Sequence, residues 1–185
     1  ANHFPIDPEL ARRGAALYRD HCGDCHGASG DDFSGRHVGQ VTPIAAIGTD
    51  RGRLDSYTRE LALNQGMLYA AKPERRFRHF RKTWGYANMP LDGLWLRAPY
   101  LHNGSVPSLW DLLQAPERRP KSFYRGDDRY DPKHVGFVSD QAGEGERRHF
   151  LYETDVPGNG NGGHLYGTRL ADADKWALLE YLKTF

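Results

Sequence analysis

Five consecutive residues, Cys22-Gly23-Asp24-Cys25-His26, constrain this chain more than any others. Their spacing is the one by which haem is attached covalently to protein. Two thiols three positions apart match the two vinyl groups of a porphyrin. The imidazole that follows then falls beneath the iron, where it is a good axial donor. Cys22 and Cys25 are therefore assigned to the thioether bonds of one haem c, and His26 to the iron. Other cysteine chemistry fits less well. These are the only two cysteines in 185 residues, and a structural disulfide normally closes a much longer loop. A redox dithiol of the thioredoxin kind follows a strand, whereas the pattern before Cys22 is helical. A zinc site would need two further ligands, and His21 and His26 stand too close together for finger spacing.

The flanks agree with a haem site. Asp7-Pro8 is a good helix start, with a capping carboxylate and a proline in the first turn. Leu10, Gly14, Leu17 and Tyr18 then recur on one helical face. A glycine inside a helix costs about 1 kcal/mol against alanine, which makes sense if another helix crosses closely at Gly14. At the other end, Asp172 and Asp174 favour the first turn of a last helix, whose apolar face is Leu178, Tyr181, Leu182 and Phe185. A helix before the haem cysteines and another at the C-terminus resemble the frame of class I cytochromes c, over residues 7–30 and 168–185. In those proteins the two helices cross.

The resulting expectation is a mainly α fold. It is one cytochrome c-like helical domain, residues 1–185, around one covalent haem and enlarged by a loop-rich middle at about 30–168. That middle is punctuated by glycine and proline and reads as short helices and loops. Asp55–Met67 is expected to be helical, with Leu61, Leu63 and Leu68 partly buried and Met67 in core packing.

Two stretches carry a more specific resemblance. Ala98-Pro99-Tyr100-Leu101-His102-Asn103-Gly104-Ser105-Val106-Pro107-Ser108-Leu109 is similar to the Ala-Pro-Tyr-x-His-x-Gly segment of dihaem cytochrome c peroxidases. Its Asn-Gly-Ser-Val-Pro portion is closer to the C-terminal haem half of rubber-oxygenase-type proteins. The run from Pro157 to Gly167 and the ending from Leu179 to Phe185 resemble that second group too. The departures matter equally. Those enzymes carry two haem motifs and this chain has one. The methionine ligand that the peroxidases place about fourteen residues after the shared histidine is Pro116 here. The resemblance therefore implies a haem-binding half-module and does not bring peroxidase or oxygenase activity with it.

The sixth iron ligand decides whether a haem only shuttles electrons or also binds small molecules. His164 is the first candidate. It lies just ahead of the last helix, where class I cytochromes usually supply their ligand, and its neighbouring glycines allow close approach to a flat porphyrin. In the rubber-oxygenase type the matching haem is held by two histidines, and this loop looks like the donor. Met89 is the alternative, since it precedes Pro90 as the ligand methionine does in many small cytochromes. His102 reads as a buried hydrogen-bonding group near the haem edge, and the remaining histidines as surface residues.

Composition narrows the setting. With 25 Lys and Arg against 24 Asp and Glu, the charge recommends neither nucleic acid nor an anionic membrane as partner. No apolar run approaches the ~20 residues of a membrane span. Lys72, Arg75, Arg76, Arg78, Arg81 and Lys82, interrupted by Phe77, His79 and Phe80, form a basic stretch. It suits a solvated segment, a dock for an acidic redox partner, or neutralisation of haem propionates. Asp127, Asp128 and Asp131 lack EF-hand spacing, and a calcium ion there is left open beside a hydrated turn. The glycines at 158–163 lack the Gly-Lys-Ser/Thr ending of a phosphate loop.

The expected function is electron transfer between redox proteins by a six-coordinate haem, a carrier rather than an enzyme. The alternative is a haem enzyme, or a fragment of one, with an open or labile sixth site. Covalent haem attachment implies a periplasmic or exported setting. No signal peptide is visible in Ala1–Pro8, so the chain is expected to be mature or a domain cut from something longer.

Overall fold

The computed structural model describes residues 5–28, 31–69, 71–75 and 79–185. Its frame is a pair of terminal helices. Helix α1 (Pro8–His21) begins as its sequence predicts, with the Asp7 carboxylate accepting from the backbone N–H groups of Glu9 and Leu10. A single-turn helix, α2 (Gly23–His26), follows at once and carries the motif. The longest helix at the other end, Asp172–Leu182, is named α7 below because four shorter ones lie between. It buries Ala177, Leu178, Leu179 and Leu182, a wider face than the predicted one. Gly14 lies where these helices meet, and a Cβ built on it would stand 2.0 Å from the Ala177 carbonyl oxygen. Beside that contact, Tyr18 packs on Tyr181 and Phe185 with ring centres 5.3 and 5.0 Å away. The Tyr18 hydroxyl donates to the Gly27 carbonyl at 2.7 Å, so the same residue anchors the motif loop to the helix pair.

The expectation of a mainly α fold is wrong. Between the terminal helices stand β1 (Val41–Pro43), α3 (Ile44–Ile47), α4 (Gly52–Ser56), α5 (Arg59–Leu68), β2 (Gly85–Ala87) and α6 (Leu109–Leu112). Six more strands follow: β3 (Ser122–Arg125), β4 (Tyr130–Asp131), β5 (Gly136–Phe137), β6 (Gly143–Glu144), β7 (Arg147–Arg148) and β8 (Phe150–Glu153). They pair antiparallel as β1–β2, β3–β8, β4–β5 and β6–β7, four separate two-stranded sheets among the described residues. The physical reason is length. The helices of the middle are short, α3 ending at Gly48 in a left-handed conformation, and ladders of two to four residues are too short to show a period of two in sequence. Where a pair does bury a face it is aromatic, as with Phe123 opposite Tyr152.

The predicted helix over Asp55–Met67 is two helices. The chain breaks at Tyr57–Thr58, and Thr58 caps α5 by accepting from the Leu61 N–H. Leu61, Leu63, Met67 and Leu68 are exposed and Ala62 is the buried residue of α5, so neither the partial burial nor the core role of Met67 holds. The core lies elsewhere. Tyr18, Leu94, Tyr100, Val106, Leu109, Leu113, Val135, Leu178, Leu179 and Leu182 form one cluster, with the hydroxyl of Tyr100 3.2 and 3.1 Å from the carbonyls of Leu94 and Val135. His149, expected at the surface, is buried with Nδ1 2.8 Å from the Gln141 carbonyl. No helix among the described residues is long and apolar enough to cross a membrane.

The helix contact yields a test of opposite sign to local propensity. In a free helix Gly14→Ala would stabilise by about 1 kcal/mol. Here the added methyl meets backbone, so the variant is expected to lose about 1–3 kcal/mol, read as a lowered midpoint of thermal unfolding by circular dichroism.

Candidate haem-binding site

Cys22, Cys25 and His26 line a cavity of about 420 Å³, the size range of cofactor pockets. Across it stand Thr42, Ile47, Thr49, Tyr86, Ala87, Asn88, Met89, Leu101, His102, His164 and Tyr166. The cavity thus gathers the motif, the β1–β2 pair, the loop after Tyr100 and the loop before α7. Local structure explains why each arrives there.

His26 is oriented by its ring nitrogen Nδ1, which lies 2.7 Å from the Met89 carbonyl. That carbonyl is held in place by the small sheet and its extension. Val41 pairs with Ala87, Asn88 exchanges backbone hydrogen bonds with Gln40 and Gly39 at 2.9 and 2.8 Å, and the Asn88 amide donates to the His37 carbonyl. Such a hydrogen bond fixes a histidine's tautomer and leaves the other nitrogen free to bind a metal. Burial lowers the pKa of His26, with the bond to Met89 opposing it.

His164 is held from three sides. Its N–H donates to the Ile47 carbonyl at 3.0 Å. Gly163, with φ of 75°, presses on the Gly48–Thr49 backbone so closely that a Cβ would lie 2.4 Å from Gly48 carbon. Gly163 therefore serves the approach of one backbone to another; nearby, a Cβ on Gly52 would lie 2.7 Å from Gly158 Cα, and one on Gly160 would lie 2.9 Å from the Asp50 carboxylate. The third support is Arg119, which is buried. Its Nε donates to the Gln114 carbonyl at 3.0 Å, Nη1 to those of Asn161 and Gly163, and Nη2 to those of Leu112 and His164 at 3.2 and 3.3 Å. A guanidinium has five N–H donors, and here five carbonyls receive them. Sequence reasoning passed over Arg119, an unremarked residue in a tract of arginine and proline.

The outcome is that the rings of His26 and His164 face one another across the cavity, with centres 6.5 Å apart and planes inclined by 43°. A metal–imidazole bond is about 2.0 Å and the ring nitrogen lies roughly 1.1 Å from the ring centre. Two imidazoles on opposite sides of one iron thus have centres about 6.2 Å apart, and this pair fits. Burial pushes the His164 imidazole down to about 4, with the nearby His26 and Arg119 adding to the effect. It is neutral, the form that donates a lone pair.

The two thiols lack the character of a reactive dithiol. Both are free. Burial pushes Cys22 up to about 12, and burial with the Asp24 charge raises Cys25, the reverse of an activated redox cysteine. Among the described residues no three His, Cys, Asp or Glu side chains converge to hold a metal ion. The carboxylates of the acidic loop are taken up separately, Asp127 by Arg129, Asp128 by Arg147 and Asp131 by His134. Of the basic stretch, the described Lys72, Arg75, Arg81 and Lys82 do not line the cavity: the first three are exposed and Lys82 lies over the Trp84 ring, while Arg76, Phe77 and Arg78 lie outside the described residues.

Arg119 supplies a prediction. Arg119→Met strips five carbonyls of their donor, and Arg119→Lys restores the charge with only three N–H groups. Both variants are expected to unfold earlier in urea, the methionine variant by about 2–4 kcal/mol.

Residues 85–124 match the family model described as RoxA-like, cytochrome c-like. This segment contains β2, the His26-orienting Met89 carbonyl, His102 and Arg119. The chain is 31% identical to the uncharacterized protein y4iJ of Sinorhizobium fredii over 97% of this chain and 39% of that protein. It is 32% identical to y4iM of the same organism over 98% of this chain and 50% of that protein. The chain therefore spans half the length, or less, of these curated relatives. The family match supports a cytochrome c-like domain, with haem binding and electron transfer as its class of function.

Proposed function

We propose that this chain is an electron-transfer domain holding a single c-type haem, attached through Cys22 and Cys25 and ligated on its two faces by His26 and His164. The observation that carries the reading is the opposition of two imidazoles at 6.5 Å in the cavity that also holds both motif thiols. When bound, the haem supplies a reversible one-electron couple at its iron. The protein's own part is to fix two axial donors so that both oxidation states keep one geometry. The Met89 carbonyl fixes one donor and Arg119 with the Ile47 carbonyl fixes the other. Little then has to move when an electron arrives or leaves.

Met89 is the weaker choice for sixth ligand. Its carbonyl sits on Nδ1 of His26, which places its backbone on the His26 side, and its side chain is 57% exposed. The electron-carrier role follows from two fixed strong ligands, since a six-coordinate iron has no open position for peroxide or oxygen. Covalent attachment at Cys-x-x-Cys-His, as proposed, implies a periplasmic or other exported setting, with redox proteins as partners. A haem enzyme with a labile sixth site is the competing function, and one experiment separates the two.

In the haem-loaded chain the ferric iron is expected to be low-spin, and the ferrous form slow to bind carbon monoxide. His164→Ala should turn the ferric spectrum high-spin and open the ferrous iron to carbon monoxide, whereas Met89→Ala should change neither. An unaltered spectrum in His164→Ala, or ready carbon monoxide binding by the parent chain, sinks the six-coordinate carrier.

A further inference from the structure

Six buried side-chain polar atoms among the described residues have no hydrogen-bond partner: Thr49 Oγ1, Tyr86 OH, His102 Nε2, Asn103 Oδ1, Ser105 Oγ and His164 Nδ1. Buried polar atoms in a folded protein are normally paired, and an orphan calls for a ligand, an ion or water. Four of the six belong to residues that line the one cavity already described, namely Thr49, Tyr86, His102 and His164. Setting aside the proposed iron ligand leaves three that the ligation scheme does not use.

Two of these three touch, and Thr49 directly precedes Asp50, whose backbone accepts from the His102 ring. The rings of Tyr86 and His102 are stacked, with centres 4.5 Å apart and planes inclined by 21°. Arg53 stands beside them, its Nη1 3.4 Å from the His102 carbonyl, and its charge acts on both rings. The Asp50 carboxylate nearby is already engaged by the N–H groups of Gly52 and Gly160 at 2.6 and 3.3 Å. The Asp50 backbone accepts from the His102 ring, which leaves Nε2 as the free nitrogen. What remains is two hydroxyls and one imidazole nitrogen without a partner, beside a cation. That is the complement of a carboxylate.

We propose that Thr49, Tyr86 and His102, with Arg53 alongside, receive a propionate carboxylate of the haem. The proposal rests on the haem reading above and names the part of the group these residues hold. A porphyrin carried by Cys22 and Cys25 is joined along its vinyl edge, and its propionates are its only charged groups. They need donors, and among the described residues Lys72, Arg75, Arg81 and Lys82 do not line this cavity. The Tyr86 and Thr49 hydroxyls donate to the carboxylate, and His102, whose other ring N–H goes to the Asp50 backbone, donates to it through Nε2 once that nitrogen has taken a proton from solvent.

The test is resonance Raman spectroscopy of the full haem-loaded chain, read at the propionate bending bands, which rise in frequency when the carboxylate is hydrogen-bonded. Tyr86→Phe keeps the stacked ring and loses only the hydroxyl, and Thr49→Val is equally close in shape. Each is expected to shift a propionate band to lower frequency, and Tyr86→Phe with His102→Gln to shift it further. The low-spin absorption and paramagnetic resonance signals of the iron should stay as in the parent. Bands that coincide with the parent's in Thr49→Val, Tyr86→Phe and the double variant overturn the proposal, and the pocket is then a water-filled one. A parent chain without haem defeats the underlying reading as well, and that outcome is visible before any variant is made.

Discussion

The position of His164 relative to His26 depends on a buried cation that has no carboxylate partner among the described residues. Arg119 gives its five N–H groups to carbonyls from two stretches, 112–114 and 161–164, that are far apart in sequence. Burying a charge is costly unless hydrogen bonds replace its lost water. Here the replacement comes entirely from backbone, so the charge and the loop are stable only together. The same guanidinium helps to keep the His164 ring neutral. Arg119 therefore contributes both to where the imidazole stands and, after burial and His26, to keeping it neutral.

The terminal helices do for the motif what Arg119 does for the opposite loop. Gly14 lets α1 come within backbone contact of α7, and Tyr18 then reaches from that contact to the Gly27 carbonyl just beyond His26. The β1–β2 pair, only three residues long, holds the carbonyl that orients His26. The cavity walls are thus built from short pieces, each tied by few but well-placed hydrogen bonds. Such a frame suits a carrier, whose iron must meet similar surroundings in both oxidation states.

The legible part of this protein was its local chemistry. Cys22, Cys25 and His26 are contiguous, the Asp7–Pro8 cap is contiguous, and Gly14 stands out because an unbroken helical pattern surrounds it. His164 could be picked out from its place before the last helix, though the surrounding glycines proved to serve contact with residues 48–52. The sequence could not show Arg119, since its partners are carbonyls, which leave no mark on residue type. Nor could it show the four small sheets, whose ladders are too short for a periodic signal. The exposed leucines of α5 misled for a related reason: apolar residues at helical spacing imply a buried face only if another element covers it.

The account stands or falls on two thioether bonds. The direct measurement is the intact mass of the chain, produced together with haem-attachment machinery and purified under denaturing conditions that remove any haem not covalently held. The account predicts a mass greater than that of the amino acids by one haem, with neither cysteine left to react with a thiol reagent. A mass equal to the polypeptide alone, with both thiols free, would contradict it.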